Sequence, residues 1–520
     1  MTGKSPRLTS RDRGQCDLGH NRTLTSGLQK TIVAMEVDVN VRYRMEAAPM
    51  NTFRHPPALR SFRGRRNPSS CGVPFAILWV AMGAAPLLAV DSFEQPPISY
   101  SDSRPANAIE ELNDRLGSGA ARLVFDHSLG YLRSVLDLLQ VPISSQTLVF
   151  SKTSLQQRHI SPRNPRAIYF NDEVYVGFVR GGDVLELSVA DPQLGTVFYT
   201  LDQAIRERPT FVRQTNDCLI CHGGSQTRGV PGHIVRSVYA DRSGQPIFSA
   251  GSHRVDDTTP MADRWGGWYV SGRHGDATHL GNVTYRKRPE EGDERDTTGL
   301  NQSDVSPRFD SSGYLTPHSD LVALSVLAHQ TAAHTILAKA SFEARMAIYR
   351  EAALNRELGE PADHRWPSTN TIFDSAATSL IDCFLFSGAP ALPAPIEGTT
   401  TFADEFVKRG PADGQGRSLR SLDLKNRLFR HPCSFLIYSK SFDSLPEEVR
   451  RRFWEKMKAV LQGKDTSGKY AHLFPAERSA ICDILVATKP EAGRDLAPPG
   501  NSAVEKCTEI LQGSYAVANR

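Results

Sequence analysis

The apolar residues of this chain change their spacing twice, and that change restricts the fold more than any other feature of its 520 residues. Residues 106–140 carry apolar side chains at helical intervals. From about residue 147 the chain turns to short runs rich in β-branched and aromatic residues, with turn residues between them. Helical spacing returns at Ser319. The sequence therefore predicts an α+β fold, with a β-rich N-terminal half and an α-helical C-terminal half.

The same patterns predict the individual elements. A cap at Ser319-Asp320 begins a long helix that reaches about Leu358, and Gly359 stops it. The other predicted helices are 106–116, 129–139, 372–386, 446–462, 475–488 and 502–512. The predicted strands are 147–150, 167–170, 174–179, 184–189, 197–199, 233–239, 246–248 and 268–271.

Charge is distributed unevenly along the chain. The net charge is +4, but residues 1–70 hold 13 Lys/Arg and 5 Asp/Glu, a balance of +8. The remaining residues hold 48 Lys/Arg and 52 Asp/Glu, a balance of −4. The basic character therefore belongs to the leader, and the acidic body gives no electrostatic reason to expect nucleic-acid binding.

Residues 50–90 have the layout of an export signal. Several arginines precede an apolar run at 71–90, and Asp91 ends it. A cleaved signal peptide is predicted, and an uncleaved membrane anchor through 71–90 is the alternative, because the run approaches the length of a spanning helix. Residues 1–49 lack apolar periodicity, and we expect a non-native or disordered leader there. The protein is therefore expected to be periplasmic or otherwise exported.

One motif carries recognisable chemistry: Cys218-Leu219-Ile220-Cys221-His222. Two intervening residues put both thiols on one side of a single turn, with the histidine next to them. This is the pattern of covalent haem attachment, in which the cysteines bond to the haem and the histidine ligates the iron. The sequence therefore predicts one covalent haem c, held by Cys218 and Cys221, with His222 as the proximal ligand.

Two other interpretations of the motif are weaker. A Cys-x-x-Cys redox pair is expected near a βαβ unit, which this region lacks. A structural zinc site needs two further ligands, and the chain has no second Cys-x-x-Cys.

With haem as the interpretation of the motif, we divide the exported body into two regions. A β-rich haem-attachment region is expected at 91–315, and a helical region that covers the haem is expected at 316–520.

The residues around the motif resemble a family. The stretches 216–224 (NDCLICHGG) and 265–272 (WGGWYVSG), with 144–154 and 424–430, are similar to large exported bacterial cytochrome c domain proteins that carry one such motif. The likeness covers most of residues 95–490. It implies a bound haem and electron transfer, and it specifies neither a substrate nor the sixth iron ligand.

The iron's second axial ligand decides between electron transfer and small-molecule chemistry. We expect His329, on the long helix, to be the distal ligand. A hydrogen-bonded core histidine is the alternative for this residue. The other candidates are His233, His253, Met261, His274, His279 and His334.

Three further groups of residues, namely arginines, aromatic residues and cysteines, each have two possible roles. Arg228, Arg236 and Arg254 could pair with haem propionates or remain solvated. The aromatic residues at 265–269 could wall the haem or belong to an ordinary core. Four cysteines outside the leader and the motif could form disulfides or stay free: Cys383, Cys433, Cys482 and Cys507.

The function expected from these features is extracytoplasmic one-electron transfer with an unknown redox partner protein. A haem-dependent oxidoreductase or peroxidase-like enzyme is one alternative, because electron transfer alone does not require so large a chain. A haem sensor or a subunit of a respiratory complex is another. No separate catalytic motif, such as a nucleophile elbow or a phosphate loop, is evident in the sequence.

Overall fold

The computed structural model describes residues 92–287 and 296–496. The predicted leader at 1–49, the signal peptide or anchor at 50–90 and the helix predicted at 502–512 lie outside these residues. The described residues all belong to one compact unit, so the β-rich and helical regions are two parts of one fold.

The elements follow the predicted α+β order, with strands in the middle of the chain and helices in its C-terminal half. In chain order they are α1 (Ala108–Gly117), α2 (Leu132–Leu138), β1 (Thr147–Val149), β2 (Arg166–Phe170), β3 (Val174–Val179), β4 (Val184–Asp191), β5 (Gly195–Asp202), β6 (Val212–Gln214), α3 (Asp217–His222), β7 (Arg236–Val238), β8 (Ser252–Arg254), β9 (Trp268–Tyr269), α4 (Leu321–Leu358), α5 (Pro367–Phe384), α6 (Phe402–Lys408), α7 (Lys440–Asp443), α8 (Glu447–Leu461), α9 (Pro475–Thr488) and α10 (Pro490–Leu496).

Seven strands form one antiparallel sheet in the order β6-β5-β4-β3-β2-β1-β9. Side chains alternate between its faces. One face packs into a core with α1 and α2, and its residues include Tyr169, Val176 and Val189. The register places Ile168, Gly177, Glu186 and Thr200 side by side on the other face. Because this second face mixes charged, small and apolar residues, it is the face on which a site is expected.

The long helix α4 runs for 38 residues along the end of this second face. Asp320 caps it by accepting hydrogen bonds from the backbone nitrogens of Val322 and Ala323, at 2.8 and 2.9 Å. Gly359 ends it with φ +70°, a left-handed conformation that suits glycine. Both ends are therefore where the sequence predicted them.

Helix α4 is, among the described residues, the one helix long and apolar enough to cross a membrane. Its most apolar window has a mean hydropathy of 1.4, and 89% of that window is buried inside the fold. The helix packs mainly against α5, and α5 packs on α8. Burial in this core accounts for its apolar character.

Three predicted strands are shorter or absent. The strand predicted at 233–239 is limited to Arg236–Val238, which pairs with β8. The strand predicted at 246–248 is reduced to one bridge between Ala240 and Pro246. Proline has no backbone N–H, so the ladder ends there. The strand predicted at 268–271 continues only through Tyr269.

Candidate functional site

A cleft of about 720 Å³ opens on the second face of the sheet, and the Cys218–His222 segment forms part of its wall. Its floor comes from β2 to β5, and its far end reaches α4 through Leu327 and Thr331. Three apolar side chains that line it are unusually exposed: Ile220 at 80%, Phe248 at 65% and Leu155 at 53%. A cleft with this volume and this apolar lining has the properties of a binding site for a large organic group.

The motif lies on the short helix α3. Cys218 and Cys221 are three residues apart, so they share one side of the helix. Both side chains line the cleft, and both are free thiols. Burial raises the pKa of Cys218 to about 11, and the nearby carboxylate of Glu186 adds to the effect. The two sulfurs are therefore available, as thiols, to the contents of the cleft.

His222 is held in place by the backbone of residue 232. Its Nδ1 donates to the carbonyl oxygen of Gly232 at 2.9 Å, and the nitrogen of Gly232 donates back to the carbonyl of His222 at 2.9 Å. A carbonyl only accepts, so Nδ1 carries the proton and Nε2 keeps its lone pair. Burial lowers the pKa of His222, which favours the neutral imidazole. A neutral imidazole with a fixed tautomer is the form that ligates a metal.

A charged pair lies on the floor of the cleft beside the motif. Arg166 donates to Glu186 at 2.7 Å, and the hydroxyl of Ser154 donates to the same carboxylate at 2.7 Å. Both members of the pair are mostly buried. Beside them, the ring of Phe198 lies 4.9 Å from that of His222. No motif in the sequence identifies Arg166, Glu186 and Phe198, although the alternation of β2, β4 and β5 places them on one face.

The residues present fit a covalently attached haem. Two unpaired thiols on one helical face, an imidazole with a free lone pair and an apolar cleft are the features such a group needs. For the zinc interpretation, the described residues contain no group of three or more His, Cys, Asp and Glu side chains that could hold a metal ion. Haem requires one protein ligand on its proximal side, and His222 can supply it.

Of the seven described candidates for the distal position, His233 alone lines the cleft. Its Nδ1 lies 3.1 Å from Oγ1 of Thr196, and its Nε2 lies 3.0 Å from Oγ of Ser188. Ser188 is paired in the sheet with Phe198, whose ring contacts the ring of His222. His233 therefore lies over strands β4 and β5, near Phe198, with both ring nitrogens in hydrogen bonds.

The structure gives His329 a different environment from the one we expected. Its side chain is fully buried and does not line the cleft. Nδ1 lies 2.8 Å from Oδ2 of Asp257, and Nε2 lies 2.8 Å from Oγ of Ser434. Phe386 and Phe429 pack around the ring. Both ring nitrogens therefore have hydrogen-bond partners, and neither is left to ligate a haem iron. His329 matches the alternative interpretation given above, a hydrogen-bonded core histidine.

The other candidates also lie outside the cleft. His253 is exposed on β8, and Met261 is buried in a short 3₁₀ turn. His274 and His279 are buried next to each other, with ring centroids 4.9 Å apart. His334 is buried on α4 and contacts Tyr175. None of these described residues contacts the motif.

The arginines and aromatic residues divide between the cleft and its surroundings. Arg236 lines the cleft and donates to the hydroxyl of Ser252 at 2.8 Å. Arg228 and Arg254 line a small adjoining cavity with His233. Trp268 lines the cleft, whereas Trp265 is buried against His279. Of these two tryptophans, one therefore lines the cleft and the other belongs to the core.

The cysteines outside the motif are partly described. Cys383 and Cys433 are free thiols, and burial raises the pKa of both, that of Cys433 to about 12. Cys507 lies outside the described residues, so the prediction for Cys482 and Cys507 stays open.

Comparison with known proteins finds no matching family model, no matching curated protein and no matching solved structure.

Proposed function

We propose that this protein is a c-type cytochrome that carries one covalent haem in the cleft. The observation that carries the proposal is the state of His222: Nδ1 is fixed to the Gly232 carbonyl, and Nε2 is left with its lone pair, in a cleft that two free thiols also line. Cys218 and Cys221 would hold the haem, and His222 would ligate its iron from the proximal side. The haem, when bound, supplies an iron centre able to accept and release one electron.

The chain's own residues prepare this site in three ways. The Gly232 carbonyl fixes the proximal tautomer, and a hydrogen bond of this kind raises the basicity of the ligand. The apolar side chains of the cleft would contact the faces of the cofactor. The buried charges of Arg166 and Glu186 lie near His222, where they would affect the energy of any charge change in the cleft.

Covalent attachment can be tested directly. The full chain is produced in a bacterium that has haem-attachment machinery, and denaturing gels are stained for haem. Wild type is expected to retain haem, and the Cys218→Ala/Cys221→Ala double variant to lose it. Cys433→Ala is the matched control, because this free thiol lies outside the motif and is expected to leave the stain unchanged. A wild-type band without haem under these conditions would refute the proposal.

Electron transfer outside the cytoplasm, with a redox partner protein, is the leading role for this haem. It rests on the predicted export signal at 50–90 and on the resemblance to exported cytochromes. Fractionation of the producing cell and the N-terminal sequence of the mature protein test the location. A redox titration tests the role: a reversible one-electron transition supports a carrier, and irreversible bleaching of the haem contradicts it.

A second candidate function is a haem-dependent oxidoreductase or ligand sensor. The observation that favours it is the state of His233, the one of the seven described distal candidates that lines the cleft, which has both ring nitrogens in hydrogen bonds to hydroxyls. With that arrangement, none of the described candidates would ligate the iron beside His222, and a bound haem would be able to take an external ligand. Spectra of the purified protein with cyanide or carbon monoxide decide the point: a shift favours this function, and an inert low-spin haem favours the carrier.

A further inference from the structure

Two arginines lie directly opposite each other beside the cleft. Arg236 on β7 is paired with Arg254 on β8 in a two-stranded antiparallel sheet. The side chains of such a pair share one face, with Cβ atoms about 4.5–5.5 Å apart, and like charges in these positions are destabilising. Arg236 lines the cleft, and Arg254 lines the small cavity that adjoins it. The sheet therefore holds two positive charges together at the boundary of the cleft.

Of these two arginines, only Arg254 has a carboxylate partner. Its Nη2 donates to Asp256 at 3.2 Å. Arg236 donates from Nε and Nη2 to the hydroxyl of Ser252, at 3.1 and 2.8 Å, and it forms no ion pair with any residue that the structure describes. The Nη1 hydrogens of Arg236 take no part in these contacts and remain for another acceptor. Because a hydroxyl carries no charge, the positive charge of Arg236 has no counter-charge.

A third guanidinium lies beside this pair. Arg228 lines the small cavity together with Arg254, and its side chain has no hydrogen bond or ion pair among the described residues. Its backbone has φ +60°, a left-handed conformation that is uncommon for residues other than glycine. Burial lowers the pKa of Arg228, and the positive charge of Arg254 lowers it further. The three arginines therefore repel one another, and Asp256 compensates one of them.

The other charged side chains that line the cleft do not change this balance. Arg166 and Glu186 compensate each other as an ion pair at 2.7 Å. Lys152 and Asp217 carry opposite charges. The excess positive charge at the cleft therefore belongs to the arginine group, and Arg236 is its member that lines the cleft itself.

We propose that Arg236 binds a carboxylate or a similar small oxyanion in the cleft, and that Arg254 and Arg228 strengthen this site with positive charge from the adjoining cavity. A guanidinium offers paired N–H donors that match the two oxygens of a carboxylate. An anion at Arg236 would also turn the repulsion across β7 and β8 into attraction. The adjoining cavity has room for about one water molecule, so the anion itself lies in the larger cleft.

Two sources supply this chemistry. One is a carboxylate of the haem itself, which would then be oriented with its acidic edge toward β7; this source rests on the proposed function. The other is a free oxyanion from solution, and the site for it stands on the arginines alone.

The site is tested by a crystal structure of the haem-loaded full chain, with crystals soaked in sodium sulfate. We expect either a haem carboxylate or a sulfate within hydrogen-bonding distance of the Arg236 guanidinium. In Arg236→Gln, the sulfate is expected to be lost, or the haem carboxylate to lose this contact. Haem carboxylates that lie elsewhere, with no anion at Arg236, would overturn the proposal.

The haem reduction potential separates the two sources in solution. A free oxyanion would make the wild-type potential fall as sulfate replaces chloride at constant ionic strength, because an anion stabilises the more positive oxidised haem, and Arg236→Gln would abolish this dependence. A haem carboxylate would make the potential insensitive to sulfate. The midpoint of its pH dependence would instead rise by about 1 pH unit in Arg236→Gln, because an arginine beside a carboxylate favours the ionised form.

Ser252→Ala is the matched control for both measurements, because it removes the hydroxyl that Arg236 contacts and leaves the arginine's charge in place. It is expected to behave as the wild type, and Arg236→Lys, which keeps the charge, should recover most of the wild-type behaviour. A potential in Arg236→Gln with the same sulfate and pH dependence as the wild type would overturn the site, as would an equal change in Ser252→Ala.

Failure of the proposed function is distinguishable from failure of this site. A wild type that does not stain for haem refutes the proposed function, and sulfate at Arg236 in crystals of that haem-free chain would still support the second source, whereas its absence would overturn the site. A wild type that stains for haem but has no anion at Arg236 refutes the site alone.

Discussion

His222 in the cleft and His329 in the helical core behind it use their two ring nitrogens differently. In the cleft, His222 gives one nitrogen to the Gly232 carbonyl, and the other has no partner among the described residues. In the core, His329 uses both nitrogens, one with Asp257 and one with Ser434. An imidazole that lines the cleft and has one nitrogen without a partner can bind a metal, whereas His329, with both nitrogens satisfied, stabilises the fold.

The difference follows from what surrounds each ring. The core around His329 is filled by aromatic side chains, and an unpaired nitrogen there would cost about 1–3 kcal/mol. The cleft around His222 has room for another molecule. Burial of a histidine therefore does not by itself distinguish a ligand from a structural residue; His222 differs from His329 in having a nitrogen without a partner and in lining a cleft.

The largest effect is expected from the cleft histidine. In His222→Ala, the visible spectrum of the haem-loaded protein should lose the signature of imidazole ligation completely, because the side chain that supplies the proximal nitrogen is gone. In His329→Ala the signature should persist. Absorption and EPR spectra make the comparison, and a normal spectrum in His222→Ala would reverse the two assignments.

Of these two substitutions, His329→Ala should have the larger effect on stability. His329→Ala leaves the carboxylate of Asp257 and the hydroxyl of Ser434 without their buried partner, and we expect the free energy of unfolding to fall by about 3 kcal/mol. Denaturant unfolding monitored by far-UV circular dichroism measures this. A loss of less than about 1 kcal/mol, the range of an ordinary surface substitution, would show that the network contributes little.

The Gly232 carbonyl accepts a hydrogen bond from His222, and a substitution at this residue should have a smaller effect. A Cβ at position 232 would lie 2.9 Å from Oγ1 of Thr335 and 3.1 Å from Cβ of Thr227, so Gly232→Ala must displace these side chains or the backbone at residue 232. We expect a cost of about 1–3 kcal/mol from this overpacking and a shifted haem spectrum, because the His222 ring moves with the carbonyl. Gly224→Ala is the control, since a Cβ there meets open space.

The last effect concerns the neutral core imidazoles and the pH dependence of stability. Burial lowers the pKa of His279 to about 3 and that of His334 to about 4. The unfolded chain takes up these protons near pH 6.5, so between pH 6.5 and about 4 it binds more protons than the folded chain. The free energy of unfolding should therefore fall as the pH falls through this window.

Replacing one of these imidazoles should weaken that pH dependence. In His279→Phe, the free energy of unfolding should change less steeply between pH 6.5 and 4 than in the wild type. His253→Gln, at an exposed position, serves as the control. Equal slopes in His279→Phe and wild type would mean that His279 is not held neutral by the fold.

Local patterns were sufficient to predict much of the fold. β3 occupies Val174–Val179 and α9 occupies Pro475–Thr488, as the run of β-branched and aromatic residues and the helical spacing indicated. The cap at Asp320 and the stop at Gly359 also depend on neighbouring residues alone. β6 was missed, because Val212–Gln214 has no apolar run and pairs with β5 through its backbone.

The site was harder to predict, because it depends on which distant segments meet. The spacing of the motif identified the attachment residues, and His222 does line a cleft together with both cysteines. Gly232 carries no signal in the sequence, since its role arises from loop closure. His329 lies on a helix with apolar faces all round, so helical periodicity could not tell which face meets the cleft.

The most direct test of the account is the mass of the tryptic peptide of residues 214–228, which contains both cysteines and His222. The peptide is taken from the full chain made in a bacterium that attaches haem to proteins. We predict that it carries the added mass of one haem, and that reducing agents do not remove it. A peptide with the unmodified mass, or with a Cys218–Cys221 disulfide, would contradict the account.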